Sequence, residues 1–573
     1  MKNSICLFLC LSGVFIAFNA CRKTATLERI PNNKGMLVGA ITYSSTDIPV
    51  TSVAASSALW PAAALADTNE TTIWSSNTHS TANVQEWAAY WFNGFHNVNY
   101  IKLYPRYYTS GALGFPVNFD IYWSDGTNWI LAASDTAFPT PQHDWIILPL
   151  PATVNANGIR IVANKLGQDD VGNYVFQLAE AGAGYDSQLS HFTFLGNDNT
   201  YQQNEIRNVG SGSFNPNMMS NWNYDARYPI ISAQPGGNSN IYAPNAVSNG
   251  GAWNVYFGGW DGTTSGNDRI SVTVSNDNFL TFNPHALMID KGVMIHVNNE
   301  TVIKKPDNTW LMYYTTYGGS PALNKPAYAT SPNGVNWTPS AGNASYLLNM
   351  SGYANWNNAD VNGSNVVYLE NSVYHLYFND FNYTSTGHAF AVHHATSSDM
   401  INFSYTGDVL NEGRVAQDVK KFTYGGSSYY LMVMHMNGTE VRYSLGSSPV
   451  NFPASQVLTT NQGTGDQYIT SAGIVTNNNR LYGIFYGAGA VSTLDHNAIY
   501  AKWLQKKVIF ISDATGARWG DIERAYGPDR IKLFMNTNIE TGHFYVYDTD
   551  GTTLLYTSPK ITMRNGDIWT YSL

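Results

Sequence analysis

The feature that most narrows what this chain can fold into is a cadence repeated five times between residues 239 and 504. A short apolar run opens beside a polar or acidic residue, and an aromatic run answers it. The openings are YAPNAV at Asn245, NNETVI at Glu300, NADVNG at Asp360, AQDVKK at Asp418 and GDQYIT at Asp466, spaced by roughly fifty to sixty residues. The answering runs are WNVYFGGW, WLMYYTTY, VYHLYFNDF, YYLMVMHM and LYGIFYGAG, and three units add a hairpin turn (SNDNFLTF, SPNGVNWTP, SSDMINFSY). Short aromatic and β-branched runs bounded by Gly, Asn and Asp are strand signals. Strands recurring at one long period build sheets set radially about an axis, here a five-bladed β-propeller. The innermost strands start near that axis, so residues distant in sequence face one pocket.

Composition agrees with an all-β, folded chain. With 44% hydrophobic and 12% charged residues over 573 positions, there is ample material for two or more cores. A net charge of −10 with no basic stripe argues against a nucleic-acid partner. The N-terminus (MKNSICLFLCLSGVFIAFNAC) places Lys2 before an apolar stretch, then small residues before Cys21, which reads as an export signal. It resembles a bacterial lipoprotein signal, which implies removal of residues 1–20 and lipidation of Cys21, an anchor to the cell envelope and its outer membrane. The only expected membrane contact is through that lipid. The alternative is an ordinary secretory signal with an incidental cysteine. Residues 21–34 then form a tether.

Residues 35–186 alternate short strand-like runs with turns and lack a helical period, which predicts a β-sandwich. ALADTNETTIWSS, EWAAYWF, YIKLYPR, FPVNFDIYWSDGTNWILA, GIRIVANK and FQLAEAG, in that order, resemble the signatures of the discoidin or coagulation factor type C domain. In exported bacterial proteins this domain is commonly a family 32 carbohydrate-binding module. The resemblance implies a structural calcium at Asp67, Thr72 and Glu180, an oxygen donor set of the kind that cation takes. Asp67 as a turn cap with Glu180 solvated is the alternative. Loop-tip residues Asn77, His79, Arg106 and Tyr174 are the candidates for sugar contact, whereas Trp74, Trp87 and Trp129 are expected in the core. Residues 187–238 read as a polar connector, and residues 505–573 as a β-rich extension packed on the propeller.

The repeated openings with their YYLMY-like second strands and ATSPNGVNW-like hairpins resemble the five-bladed glycosidases of families 43, 62, 32 and 68. Glycoside hydrolysis needs two carboxyls across the scissile bond. Carried over by position, the family's first aspartate falls on Asn245, which cannot act as a base, with Asp261 and Asp268 nearby as substitutes. The middle aspartate falls on Asp360. The glutamate has no clean counterpart; Asp418 holds the inner-strand position, with Glu412 just before it. Glu300 and Asp466 complete the acidic set, and carboxylates gathered on one axis would keep one of their number protonated, as a general acid requires. His435 either orients an acid, binds a central ion, or is a satisfied core histidine. No phosphate loop, zinc-spaced histidine pair or serine elbow occurs, so no cofactor is expected beyond a structural calcium. The implied function is a glycoside hydrolase acting on a polysaccharide or oligosaccharide; the alternatives are a non-catalytic glycan-binding lipoprotein of the same architecture and a protein-binding scaffold.

Overall fold

The computed structural model describes residues 46–571, with breaks at 109–110, 190–191, 198–221, 235–238, 263–266, 320–321, 341–347, 462–466, 520–524, 533–534, 548–553 and a few single positions. Cys21 and the expected signal and tether lie outside the described residues. What is described is almost wholly β.

The first unit is a sandwich built on two long antiparallel strands, Glu86–Tyr108 and Ile146–Lys165. Register shifts between Trp91 and His96 and between Val98 and Tyr100 bend the first of these, so its two halves serve different parts of the sheet. Gln177–Tyr185 pairs along one edge, and Asn118–Ser124 with Trp129–Asp135 along the other. Alternate residues point inward: Ala88, Tyr90, Phe119, Ile121, Ile159 and Ile161 meet Leu65, Trp74, Phe176 and Leu178 in one buried core. Trp74 is fully buried, but Trp87 and Trp129 are not core residues. They lie on the outward phase and clasp Arg160, whose guanidinium sits 4.9 Å and 4.2 Å from their rings.

Five sheets follow, antiparallel except for one parallel edge strand, Asn349–Ser351, in the third, and their inner strands are Asn240–Asn249, His296–Lys304, Asn365–Glu370, Val415–Tyr424 and Tyr468–Asn477. Each inner strand lies against the next, and the fifth lies against the first, which closes the ring. Gly473 marks this last seam: a Cβ there would come within 1.8 Å of the Pro244 carbonyl oxygen, so only glycine fits. The fifth sheet takes its outermost strand, Trp222–Tyr224, from before the first blade. A ring sealed by strands from both directions of the chain leaves no open seam.

The expected connector is therefore partly structural. Besides Trp222–Tyr224, it supplies Phe192–Asn197, which pairs with Asp567–Tyr571 in the C-terminal extension. Phe192, Phe510, Phe544 and Trp569 share a core there, with Phe192 and Phe544 stacked at 4.8 Å. That extension rests on the sandwich as well as the propeller. Tyr100 of the sandwich enters its core, and the Ile147 amide donates to Thr562 Oγ1 at 2.8 Å. On the propeller side, Arg530 Nη1 donates to the Asn278 carbonyl at 2.6 Å. Phe192 covers the Phe544 and Tyr556 rings, which the tail residues alone would leave uncovered on that side.

Candidate functional site

Four of the five inner strands carry a bulge that gives them one residue more than the strand they face: between Tyr242 and Asn245, Asn298 and Thr301, Ala416 and Asp418, and Thr470 and Ala472. Ala243, Asn299 and Ser471 within these bulges adopt left-handed backbone, as does Gly363 just before the third inner strand. Such conformations cost of order 1–3 kcal/mol for residues other than glycine and persist only where the surroundings enforce them. Here the bulged residues meet around the axis. Ala243, Pro244, Asn299, Glu300, Gln417 and Ala472 line a cavity there with Gly363, Asn365 and Val366, so every blade contributes. The space open to a water's centre is about 10 Å³, enough for one water molecule.

Glu300 dominates this cavity. Its side chain is buried, and neither carboxyl oxygen has a hydrogen-bond partner. Burial pushes its pKa well above the usual carboxylate range, which favours the neutral acid. The Asn365 amide is likewise buried with both of its polar atoms unpartnered. Unsatisfied groups of this kind, with the Gln417 amide donating to the Gly363 carbonyl beside them, are suited to a bound water or an oxygen-liganded cation.

Among the described residues, the other acidic positions do not join Glu300. Asp418 is fully buried in the seam between the fourth and fifth blades: its two oxygens accept the Val419 and Ile474 amides at 2.8 Å each, and Lys420 lies 2.9 Å away. Asn245 does the same in the first seam, accepting the Val302 amide at 3.1 Å. The bulge explains the displacement, because one inserted residue turns each following side chain to the other face of the strand. Gln417, not Asp418, therefore looks into the axis. Asp360 lies before the third inner strand, outside the cavity lining. Its Oδ1 accepts the Asn324 backbone and side-chain amides at 2.8 Å, and its own amide donates to Asp380 at 2.9 Å. Lys325 stands close enough to both aspartates to feel their charge, yet burial brings its pKa down to about 8.

Asp261 and Asp268 are also committed to neighbours. Asp261 binds the His285 ring and the Gln234 amide; burial alone would raise its pKa, and these bonds hold it below the usual value. Asp268 accepts from the Tyr242 hydroxyl and, at 3.0 Å, from the Asn298 amide. Glu412 holds the Ser455 amide at 2.7 Å and its hydroxyl. The His435 pKa is pushed down to about 4 by burial, which makes it a neutral ring with an unpartnered Nδ1. Asp466 lies outside the described residues.

In the sandwich, the loop-tip residues do gather. His79 and Tyr174 bridge through their backbones, with amide–carbonyl distances of 2.9 and 3.0 Å. The His79 ring contacts buried Glu86 at 2.7 Å, and the exposed Asn77 is held through its amide by Ser57. Arg106 donates to Gln177 at 3.0 Å and to Asp170 at 3.3 Å, with its guanidinium 5.0 Å from the Trp60 ring. Trp60 is 36% exposed. It carries the aromatic surface of this end, and the sequence signal for it was slight: a lone Trp before Pro61, outside any alternating run.

Asp67 and Glu180 also meet. The Asn69 amide donates to both, at 2.9 and 2.7 Å, and Thr72 Oγ1 reaches the Asp67 carboxylate at 2.7 Å. Desolvation raises Glu180 to about 7, with the facing Asp67 charge adding to the shift. Among the described residues, no three His, Cys, Asp or Glu side chains cluster as a metal site. A cation here would draw on these two carboxylates, Thr72 Oγ1 and carbonyl or water oxygens.

No protein-family model matches the chain, and no curated protein matches it. Among solved structures, the chain is similar to a family 32 carbohydrate-binding module of a family 31 glycoside hydrolase from Clostridium perfringens: 19% identity over 24% of this chain and 90% of that one, TM-score 0.21. It is similar also to a glycosyl hydrolase from Bacteroides ovatus, with 14% identity, 52% of this chain and 96% of that one covered, and a TM-score of 0.38. A third is the catalytic domain of the family 62 α-L-arabinofuranosidase of Coprinopsis cinerea, with 14% identity over 50% and 98% and a TM-score of 0.37.

Proposed function

We propose that this is a glycan-binding protein of the bacterial cell envelope, exported and held there by a lipid on Cys21, whose sugar contacts are made at the loop end of the sandwich. The observation that carries the reading is Arg106 poised over the half-exposed Trp60, which bridges Ser75 just before the loop that bears Asn77 and the His79–Tyr174 bridge. A flat ring packs against the C–H face of a pyranose. The guanidinium, with five donors in a fixed fork, and the histidine ring then address its hydroxyls. A calcium held by Asp67, Thr72 and Glu180 would brace the neighbouring turn.

Hydrolysis at the propeller axis is the second reading, favoured by the buried Glu300, whose pKa burial raises. In it Glu300 is the general acid, and no second carboxyl among the described residues lines the cavity beside it. Against it, Asp418, Asp261 and Glu412 spend their acceptor capacity on backbone and side-chain ties. The axial cavity also has room for little more than a water.

Purified full-length protein titrated with arabinan, xylan, galactan and fructan fragments decides between them. Binding without product, weakened at least tenfold in Trp60→Ala and Arg106→Ala, is the expected result. Release of sugar by the wild type and its loss in Glu300→Gln would transfer the conclusion to the axis.

A further inference from the structure

A second, larger cleft lies where the C-terminal extension meets the sandwich, away from both sites above. Its volume is about 530 Å³, within the range of small-ligand sites and far above the axial cavity. One wall comes from the sandwich. Asp47 accepts the Tyr100 hydroxyl at 2.8 Å and Lys102 at 2.5 Å, and the Lys102 ammonium stands 4.4 Å from the Trp145 ring. Trp145 is itself fixed, because its Nε1–H donates to Glu70 at 3.0 Å.

The facing wall comes from the extension. Lys560 lies 2.9 Å from Asp144 and 3.6 Å from Asp513, so it spans the two units. The Nδ1–H of His543 donates to the Ser558 carbonyl at 2.8 Å. That bond fixes the ring orientation and leaves Nε2 on the side of Asp513, at 3.6 Å.

We infer that this junction cleft binds a neutral saccharide, which would link the sandwich to the extension. Each wall presents an ammonium already paired with a carboxylate, so donors and acceptors alternate at fixed positions, and with Asp186 in the lining and Asp513 beside Lys560 the carboxylates outnumber the ammoniums, which disfavours an anion. Sugar hydroxyls, each both donor and acceptor, suit such a lining; an acid would have to displace Asp47 or Asp144 from its lysine. Trp145 adds an aromatic ring to the lining for contact with the C–H surface. The inference stands apart from the loop-end reading, since none of its groups belongs to that site.

The test uses the full chain carrying Trp60→Ala, which silences the loop end. It is titrated with methyl galactoside, methyl glucoside and galacturonate by calorimetry and ligand-observed NMR. A neutral glycoside should still bind, and Thr557→Trp, which fills the cleft from the extension side, should weaken it at least tenfold. Lys102→Met should do likewise from the opposite wall, with melting temperature and circular dichroism confirming that each variant is folded. Absence of glycoside binding in the Trp60→Ala chain, binding indifferent to Thr557→Trp, or tighter binding of galacturonate than of the glycosides would overturn the inference.

Discussion

Glu300 is a carboxyl whose protonation is set by where the bulge places it. Its folded pKa lies above its unfolded value, so the native state holds the extra proton. The stability it contributes is complete below the unfolded value near 4.5 and is lost as pH rises toward the folded value. Glu300→Gln keeps the shape and removes the titration. The variant should gain on the wild type at pH 8 relative to pH 4, measured by denaturant unfolding at both pH values. An equal difference at both would show that the carboxyl is already ionised or solvated. Glu180 has the same sign over the narrower window between about 4.5 and about 7. Millimolar calcium should raise the melting temperature at pH 7.5, less so at pH 5, and not at all in Glu180→Gln.

At the scale of elements, the inner strands explain both what the sequence disclosed and what it concealed. Strand existence and blade order follow from aromatic runs such as WLMYYTTY and their turn residues, because period and turn chemistry are local properties. Which face a residue takes depends on the count of residues from the last bulge. A bulge is a property of two paired strands and leaves no mark in either alone. Thus Gln417 and Glu300 line the axis while Asp418 and Asn245 secure the seams, although all four look alike as polar residues opening an apolar run. Trp87 and Trp129 were hidden for a related reason: their aromaticity suits a core, but their phase relative to Ala88 and Tyr90 sets them outside, against Arg160.

The seam residues carry their own prediction. Asp418→Ala orphans two buried amides and an ammonium and should cost about 3–5 kcal/mol. Asn245→Ala, which orphans one amide, should cost about 1–3 kcal/mol. Both are read from equilibrium unfolding. A change in sugar turnover at unaltered stability would instead make Asp418 a chemical participant.

Over the whole molecule, one ion pair joins parts that the sequence keeps far apart. Asp225 is fully buried just after the strand that closes the fifth blade. Its Oδ2 accepts Arg227 Nη2, the Trp503 indole of the fifth blade and the Gly527 amide of the extension, each at 2.8 Å. Arg227 in turn donates to the Phe279 and Leu280 carbonyls of the first blade, at 2.7 and 2.8 Å. Removing one member of such a pair strands the other, so Asp225→Ala should cost about 3–5 kcal/mol. It should also loosen the first and fifth blades together, visible as faster amide hydrogen exchange in residues 253–257 and 499–503. Faster exchange confined to one blade would mean that the clasp is local.

The pairing of Phe192–Asn197 with Asp567–Tyr571 has a temporal consequence. During synthesis, the earlier of these strands emerges hundreds of residues before its mate, and its apolar face must wait uncovered while the whole propeller is made. Assembly of the third unit is thus deferred until Asp567–Tyr571 has been made. A chain that stalls or is clipped shortly before its final strand would release a finished ring carrying a bare, aggregation-prone edge.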